Sequence, residues 1–151
     1  MHTLVRRFLK TGIVFLGAGL LLGAWMLVRR EVWGIYPSTY LMSAHTHAIL
    51  VGFVMMMILG VALWMFPRPA KDDTRYRPEL AGAAYWLMTA GTALRLTGEI
   101  ARSGTDGAML RVIVMAGGLA QVVGIGLFFA TMWTRIRPSG SALREERGER
   151  F

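Results

Sequence analysis

Four apolar blocks, each close to the length that carries an α-helix across a bilayer, constrain this chain more than any other feature. They run from about Thr11 to Val28, Ser43 to Phe66, Glu79 to Ala101 and Met109 to Ile136. About 20 residues at 1.5 Å each cross a hydrocarbon layer of about 30 Å. A soluble domain carries about a quarter charged residues, whereas here 17% are charged and 54% hydrophobic. The fold class read from this is all-α, a polytopic membrane four-helix bundle. Residues 1–136 form a four-span transmembrane helical domain, with spans at about 11–28, 43–66, 79–101 and 109–136, and 137–151 form a charged cytoplasmic tail.

Local signals place the ends of the spans. Arg6, Arg7 and Lys10 precede the first, which runs on to Trp25 and Arg29-Arg30 without the small-residue cleavage site of a signal peptide. Pro67-Arg68-Pro69 closes the second, because proline cannot continue a helix. Pro78 suits a helix start, and Ser103-Gly104-Thr105-Asp106-Gly107 reads as the turn between the third and fourth spans. Arg137-Pro138 ends the fourth, and the stretch from Arg144 to Arg150 reads as solvated tail.

Positive charge sets the expected orientation, since cytoplasmic loops retain Lys and Arg. Twelve lie on one side: Arg6, Arg7, Lys10, Arg68, Lys71, Arg75, Arg77, Arg135, Arg137, Arg144, Arg147 and Arg150; Arg29, Arg30, Arg102 and Arg111 lie on the other. The N- and C-termini are therefore expected in the cytoplasm, with the chain multi-pass in the cell's inner (cytoplasmic) membrane. The pI of about 11.0 fits contact with the lipid bilayer and its anionic headgroups, not nucleic acid, because the basic residues flank the spans instead of forming one stripe. With no cysteine there is no disulfide framework, thiolate metal site or C-x-x-C-H heme attachment.

Charged and strongly polar groups at membrane depth are functional candidates by default. Here they are His45, His47, Arg95, Glu99 and Gln121. Neutral imidazole is the commonest protein ligand for transition metals and heme iron. At about 100° per residue His45 and His47 point about 200° apart, so one metal cannot take both from a regular helix. One can face the bundle while the other faces a partner helix or a second subunit. Along the His45 stripe lie Ile49, Gly52, Met56 and Gly60, where the glycines either leave room for a flat macrocycle or permit a close helix crossing. Arg95 and Glu99 have the i, i+4 spacing of an ion pair. Either they neutralise each other, or Arg95, with Arg102 or Arg111, holds carboxylates such as heme propionates. Gln121 is placed to hydrogen-bond another helix. Gly19 and Gly23, and Ala116, Ala120 and Gly124, repeat at the spacing that brings membrane helices together. Met55, Met56 and Met57 read as core or lipid-facing residues. Trp25, Trp33, Tyr36, Tyr40, Trp64 and Trp133 read as an interfacial belt.

The segment Ser43-Ala44-His45-Thr46-His47-Ala48-Ile49-Leu50-Val51-Gly52-Phe53, with Gly60 and Trp64-Met65-Phe66-Pro67-Arg68 beyond it, resembles the low-spin heme ligand helix of the heme-copper oxidase subunit I superfamily. It is more similar still to the H-x-H-x-x-x-x-G-[FW] pattern of short, four-span, stand-alone relatives of that subunit. The resemblance implies a bundle binding heme b near the outer face. Aligned with nitric oxide reductase, which reads H-T-N, His45 takes the ligand position; aligned with the A-H-G pattern of oxidases, His47 does. The first alignment agrees better with Thr46 and Gly52. Against that family this chain lacks the helices carrying the second low-spin ligand, the active-site heme ligand and the copper histidines, so one chain has no complete binuclear oxidase or reductase site. Apart from His2 there is no further histidine, and a second axial ligand requires a second copy, a different residue type or an open position for a gas.

Three functions are thus expected to compete. The first is a membrane heme b protein, a homo-oligomer such as a dimer, in electron transfer or in sensing or handling NO or O2. The second is a non-catalytic accessory subunit among respiratory-chain or denitrification proteins. The third is an inter-subunit copper or zinc site at His45 or His47.

Overall fold

The computed structural model describes residues 3–67, 77–136 and 147–148. His2, Arg68, Pro69, Lys71, Arg75 and Arg137-Pro138, together with Arg144, Arg150 and most of the expected tail, lie outside the described residues. Among the described residues four long helices make up the fold: α1 (Thr3–Trp33), α2 (Thr39–Met65), α3 (Pro78–Arg102) and α4 (Ala108–Met132), the last followed by a 3-10 turn (Trp133–Arg135). No strand occurs among the described residues. The expected all-α bundle is what forms. Both α1 and α2 begin earlier than the apolar blocks, because their flanking polar residues continue the helix.

Local chemistry ends and starts these helices. Gly34, with φ +65°, closes α1 in the left-handed conformation, and its N–H donates to the Arg30 carbonyl at 3.1 Å. Pro37 follows, and the Ser38 side chain accepts from Leu41 N–H as the N-cap of α2. Pro78 opens α3 as foreseen.

Three of the four helices, α1, α2 and α4, are long and apolar enough to cross a membrane. Their exposed surface is apolar: Val14, Leu21 and Val122 are each more than two-thirds exposed in mid-helix. Such a surface belongs against lipid, since soluble proteins do not leave apolar faces of this extent open. α3 is as long as α4 but more polar. Its buried stripe is Ala81, Ala84, Tyr85, Met88, Gly91, Thr92, Gly98 and Glu99, a period near 3.6 that turns its polar groups inward.

α1 and α2 mesh as an antiparallel ladder in which glycine on one helix receives a larger side chain from the other. Phe8 sits over Gly60, Met56 over Gly12, Phe15 over Gly52, Ile49 over Gly19, and His45 over Gly23. The expected His45 stripe therefore does form one face, and α1 covers it. Gly52 and Gly60 serve a close helix crossing; the space beside them is filled by Phe15, Phe8 and Leu9 and is not open to a macrocycle. From Ala48 to Met55, α2 takes a π turn, where Phe15 of α1 and Thr92 of α3 press on Gly52 from two sides.

α3 and α4 pack more closely still, backbone against backbone at Gly91 and Gly117. The seam on α4 is Gly117, Gln121, Gly124 and Phe128, so Gly117 takes the place expected of Ala116, which is exposed. Gln121 meets its expected partner helix: its Nε2 donates to Thr92 Oγ1 at 3.1 Å, both residues being buried. Hydrogen bonds of this kind average about 0.6 kcal/mol and reach about 1.7. Gln121→Leu is expected to lower unfolding stability by about 1 kcal/mol in detergent, with Thr92→Val similar and the double variant little worse than either. Additive losses in that cycle would show that the pair does not interact.

The apolar core lies toward one end of the bundle. Val5 and Phe8 of α1, Met56, Leu59 and Leu63 of α2, Ala84, Tyr85 and Met88 of α3, and Phe128 and Met132 of α4 form it. Phe8 makes edge-on contacts with Tyr85 and Phe128 at 5.2 and 5.9 Å between ring centroids. The other end of the bundle holds both described histidines.

Candidate functional site

His45 and His47 leave α2 on different sides, as their two-residue spacing requires. His45 turns toward α1, where its Nδ1 lies 2.9 Å from the Gly19 carbonyl. A carbonyl only accepts, so Nδ1 carries a proton, and in the neutral ring Nε2 then carries the lone pair. Nε2 has no hydrogen-bond partner among the described residues. The ring lines an open groove of about 280 Å³ with Gly23, Met26, Leu27, Arg30, Pro37 and Met42. A side chain at Gly23 would strike the imidazole at 2.8 Å, so that glycine makes the seat.

His47 turns toward α3. Its Nδ1 donates to the Ser43 carbonyl at 2.8 Å and lies 3.2 Å from Ser43 Oγ. The Ser43 hydroxyl donates to Glu99 Oε1 at 2.8 Å, and Arg95 Nε donates to the same oxygen at 3.0 Å. Glu99 Oε2 is buried without a hydrogen bond and lies 3.7 Å from His47 Nδ1. The fold thus gathers His47, Arg95 and Glu99, while His45 stands apart on the α1 side and Gly52 is packed between helices. Gln121 belongs to the helix seam. Arg95 and Glu99 form the i, i+4 pair that their spacing predicts, and Arg95 is directed to Glu99 and Gly118, away from the His45 groove.

The other two arginines near this end, Arg102 and Arg111, are held by the chain's own acid. Arg102 lies over the Tyr40 ring at 4.3 Å, donates to its hydroxyl at 2.8 Å, and bonds Asp106 at 3.2 Å. Arg111 bonds both oxygens of Asp106. The Arg111 hydrogen bond, aided by the two guanidinium charges, holds the Asp106 carboxyl below the ordinary carboxylate range. Arg30 also lines the His45 groove, and its Nε donates to the neighbouring Glu31 at 2.7 Å.

Whether these residues fit heme can be judged from the donors and the space. A neutral imidazole whose Nδ1–H is anchored on a backbone carbonyl has the usual arrangement of a ligating histidine, since that bond fixes ring and tautomer. The groove lies just under the 300–1,000 Å³ or so of enclosed small-molecule sites and is open on one side. One chain therefore presents one imidazole and one wall of the groove. Among the described residues no three His, Cys, Asp or Glu side chains gather as a metal-ion cluster.

Fold and surface define an all-helical membrane protein of four helices. The chain belongs to a family described as a domain of unknown function (DUF8744), whose model matches residues 4–137. No curated protein and no solved structure matches it.

Proposed function

We propose that this protein is a membrane heme b protein in which His45 is an axial ligand and a second copy closes the groove. What carries the reading is the Nδ1–H bond from His45 to Gly19, which leaves an unpartnered Nε2 in an open, largely apolar groove. The resemblance of the second span to the ligand helix of heme-copper oxidase subunit I supports it, and prefers the same histidine. Arg30, at the end of α1, is the cation placed to meet a carboxylate at the groove's rim. When bound, heme supplies a one-electron redox centre and, where an axial position is open, a place for NO or O2. The residues of this chain hold and orient it, and the apolar walls exclude water. Positive charge favours the cytoplasmic membrane with both termini inside, which puts the His45 groove toward the outer face.

Absorption spectra of protein purified from heme-replete cells test this. A Soret band is expected that His45→Ala abolishes and His47→Ala keeps, and carbon monoxide added to the reduced protein reports an open axial position. No Soret band in the unaltered protein, or one that survives His45→Ala, overturns the proposal. Copper or zinc found instead by elemental analysis would favour a bridging metal site. Co-purification with a respiratory complex and no metal would favour an accessory subunit.

A further inference from the structure

We propose that Arg29 and the cavity beside it hold the phosphate of an anionic membrane lipid with an uncharged polyol headgroup, such as phosphatidylglycerol. Four arginines, Arg29, Arg30, Arg102 and Arg111, flank the helix ends on the histidine side of the bundle. Three of them have an acid: Arg30 pairs with Glu31, and Arg102 and Arg111 share Asp106. Arg29 has no ion pair among the described residues and makes no side-chain hydrogen bond there. Its guanidinium lies over the ring of Trp25, one turn back on α1, at 4.8 Å from the centroid. Such a stack holds the guanidinium plane and leaves its N–H donors, which fan out within that plane, free for an anion.

Arg29 and Trp25 line a cavity of about 220 Å³, open on one side, where the ends of α1 and α3 meet the start of α2. Met26 and Leu41 give it an apolar floor, and Ser38 and Ser103 supply hydroxyls. Ser38 Oγ accepts from Leu41 N–H, and its own O–H has no acceptor among the described residues, so it can donate to a phosphate oxygen. Ser103 Oγ donates to the Ile100 carbonyl and keeps its lone pairs for a headgroup hydroxyl. No carboxylate lines the cavity, so nothing there meets the ammonium of a zwitterionic headgroup. The single unpaired positive charge matches the single negative charge of a phosphodiester. Below the charge the surface turns apolar: Arg29, Trp25, Leu21 and Gly17 form one i, i+4 row along α1. Leu21 is 75% exposed, and a Cβ at Gly17 would meet nothing within 4 Å. A cation at the level of an interfacial tryptophan, with open apolar helix beneath it, has the profile of a phospholipid and not of a free phosphate. Neither His45 nor Arg30 lines this cavity, so the proposal stands apart from the heme reading.

Native mass spectrometry of the full chain, released from detergent micelles titrated with single lipids, tests the site. Phosphatidylglycerol is expected to bind at least about tenfold more tightly than phosphatidylcholine, and Arg29→Gln to remove that preference. Arg29→Lys keeps the charge but loses the planar fork, and is expected to fall between the two. Arg111→Gln removes the same charge from the same end of the bundle, outside the cavity, and is expected to keep the preference. Thermal unfolding gives a second readout: phosphatidylglycerol should raise the midpoint of the unaltered protein and leave that of Arg29→Gln where it is. Glycerol phosphate at millimolar concentration, which has the phosphate without acyl chains, is expected not to displace the lipid. Displacement by it would assign the site to a soluble phosphate ester and overturn the lipid reading. Equal binding of the two lipids, a preference that survives Arg29→Gln, or one lost equally in Arg111→Gln also overturns the proposal.

Discussion

Gly117→Val is expected to force α3 and α4 apart and to remove most of the folded protein recovered in mild detergent. A Cβ at Gly117 would lie 2.8 Å from the Gly91 carbonyl oxygen and 2.9 Å from the Arg95 backbone nitrogen. Those neighbours are backbone, so no side chain can turn aside to make room. Overpacking of a close-packed interior costs about 1–3 kcal/mol even where side chains can adjust. Alanine at 117 is therefore expected to cost about 2 kcal/mol and valine more, which is a large share of a marginal folding free energy. Gly126 is the control on the same helix, because a Cβ there meets nothing within 4 Å. Gly126→Ala is expected to be neutral or slightly stabilising, since alanine favours helix over glycine. Thermal unfolding of the three variants checks this, and equal stability of Gly117→Val and the unaltered protein would refute the seam. The same substitution presses on the Arg95 backbone, one turn from Glu99, so a milder variant that still folds should also disturb the polar cluster.

The spans were legible in the sequence because lipid removes alternatives: a chain that must satisfy its own backbone hydrogen bonds in an apolar layer becomes helical. The separation of His45 from His47 was legible for a similar reason, since helical pitch alone puts positions i and i+2 on different sides. The Arg95–Glu99 pair followed from its spacing, and Gly19 and Gly23 from theirs. What could not be read was which helix each face meets. The space beside Gly52 and Gly60 looked available because the phenylalanines that fill it, Phe15 and Phe8, stand some 37 and 52 residues earlier in the chain. Ser43 was visible as part of a motif, but its place between His47 and Glu99 depends on α2 and α3 crossing at one level. The seam on α4 differs by one residue from expectation because small residues crowd there, and Ala116 and Gly117 are equally good candidates until the partner helix chooses. The π turn has no residue signature at all.

Arg135 is the clearest case of a residue whose role only the fold reveals, and it carries the second large effect. In the sequence it is one of twelve basic residues that set topology. In the structure it is 5% exposed and reaches across to the end of α2, where the last carbonyls of a helix have no partner within the helix. Its Nη2 donates to the Leu63 and Phe66 carbonyls at 3.0 and 2.8 Å, its Nε to Pro67 at 2.8 Å, and its Nη1 to Met132 Sδ at 3.3 Å. A guanidinium suits this position because its donors fan out in a plane while its charge meets the negative end of the helix dipole. Hydrogen bonds to a charged group contribute about 1.5–3 kcal/mol, and water at the helix end can replace some of them. Arg135→Ala is therefore expected to lower unfolding stability by about 3 kcal/mol, with Arg135→Lys recovering a minority because one ammonium cannot reach three carbonyls. Since Leu63 and Met132 belong to the apolar core that joins all four helices, the loss should spread to that end. Hydrogen exchange should rise at the last turns of α2 and α4 while the Gly91–Gly117 seam stays protected. Uniform exchange across all four helices, or an Arg135→Ala protein as stable as the unaltered one, would show that the cap holds nothing together.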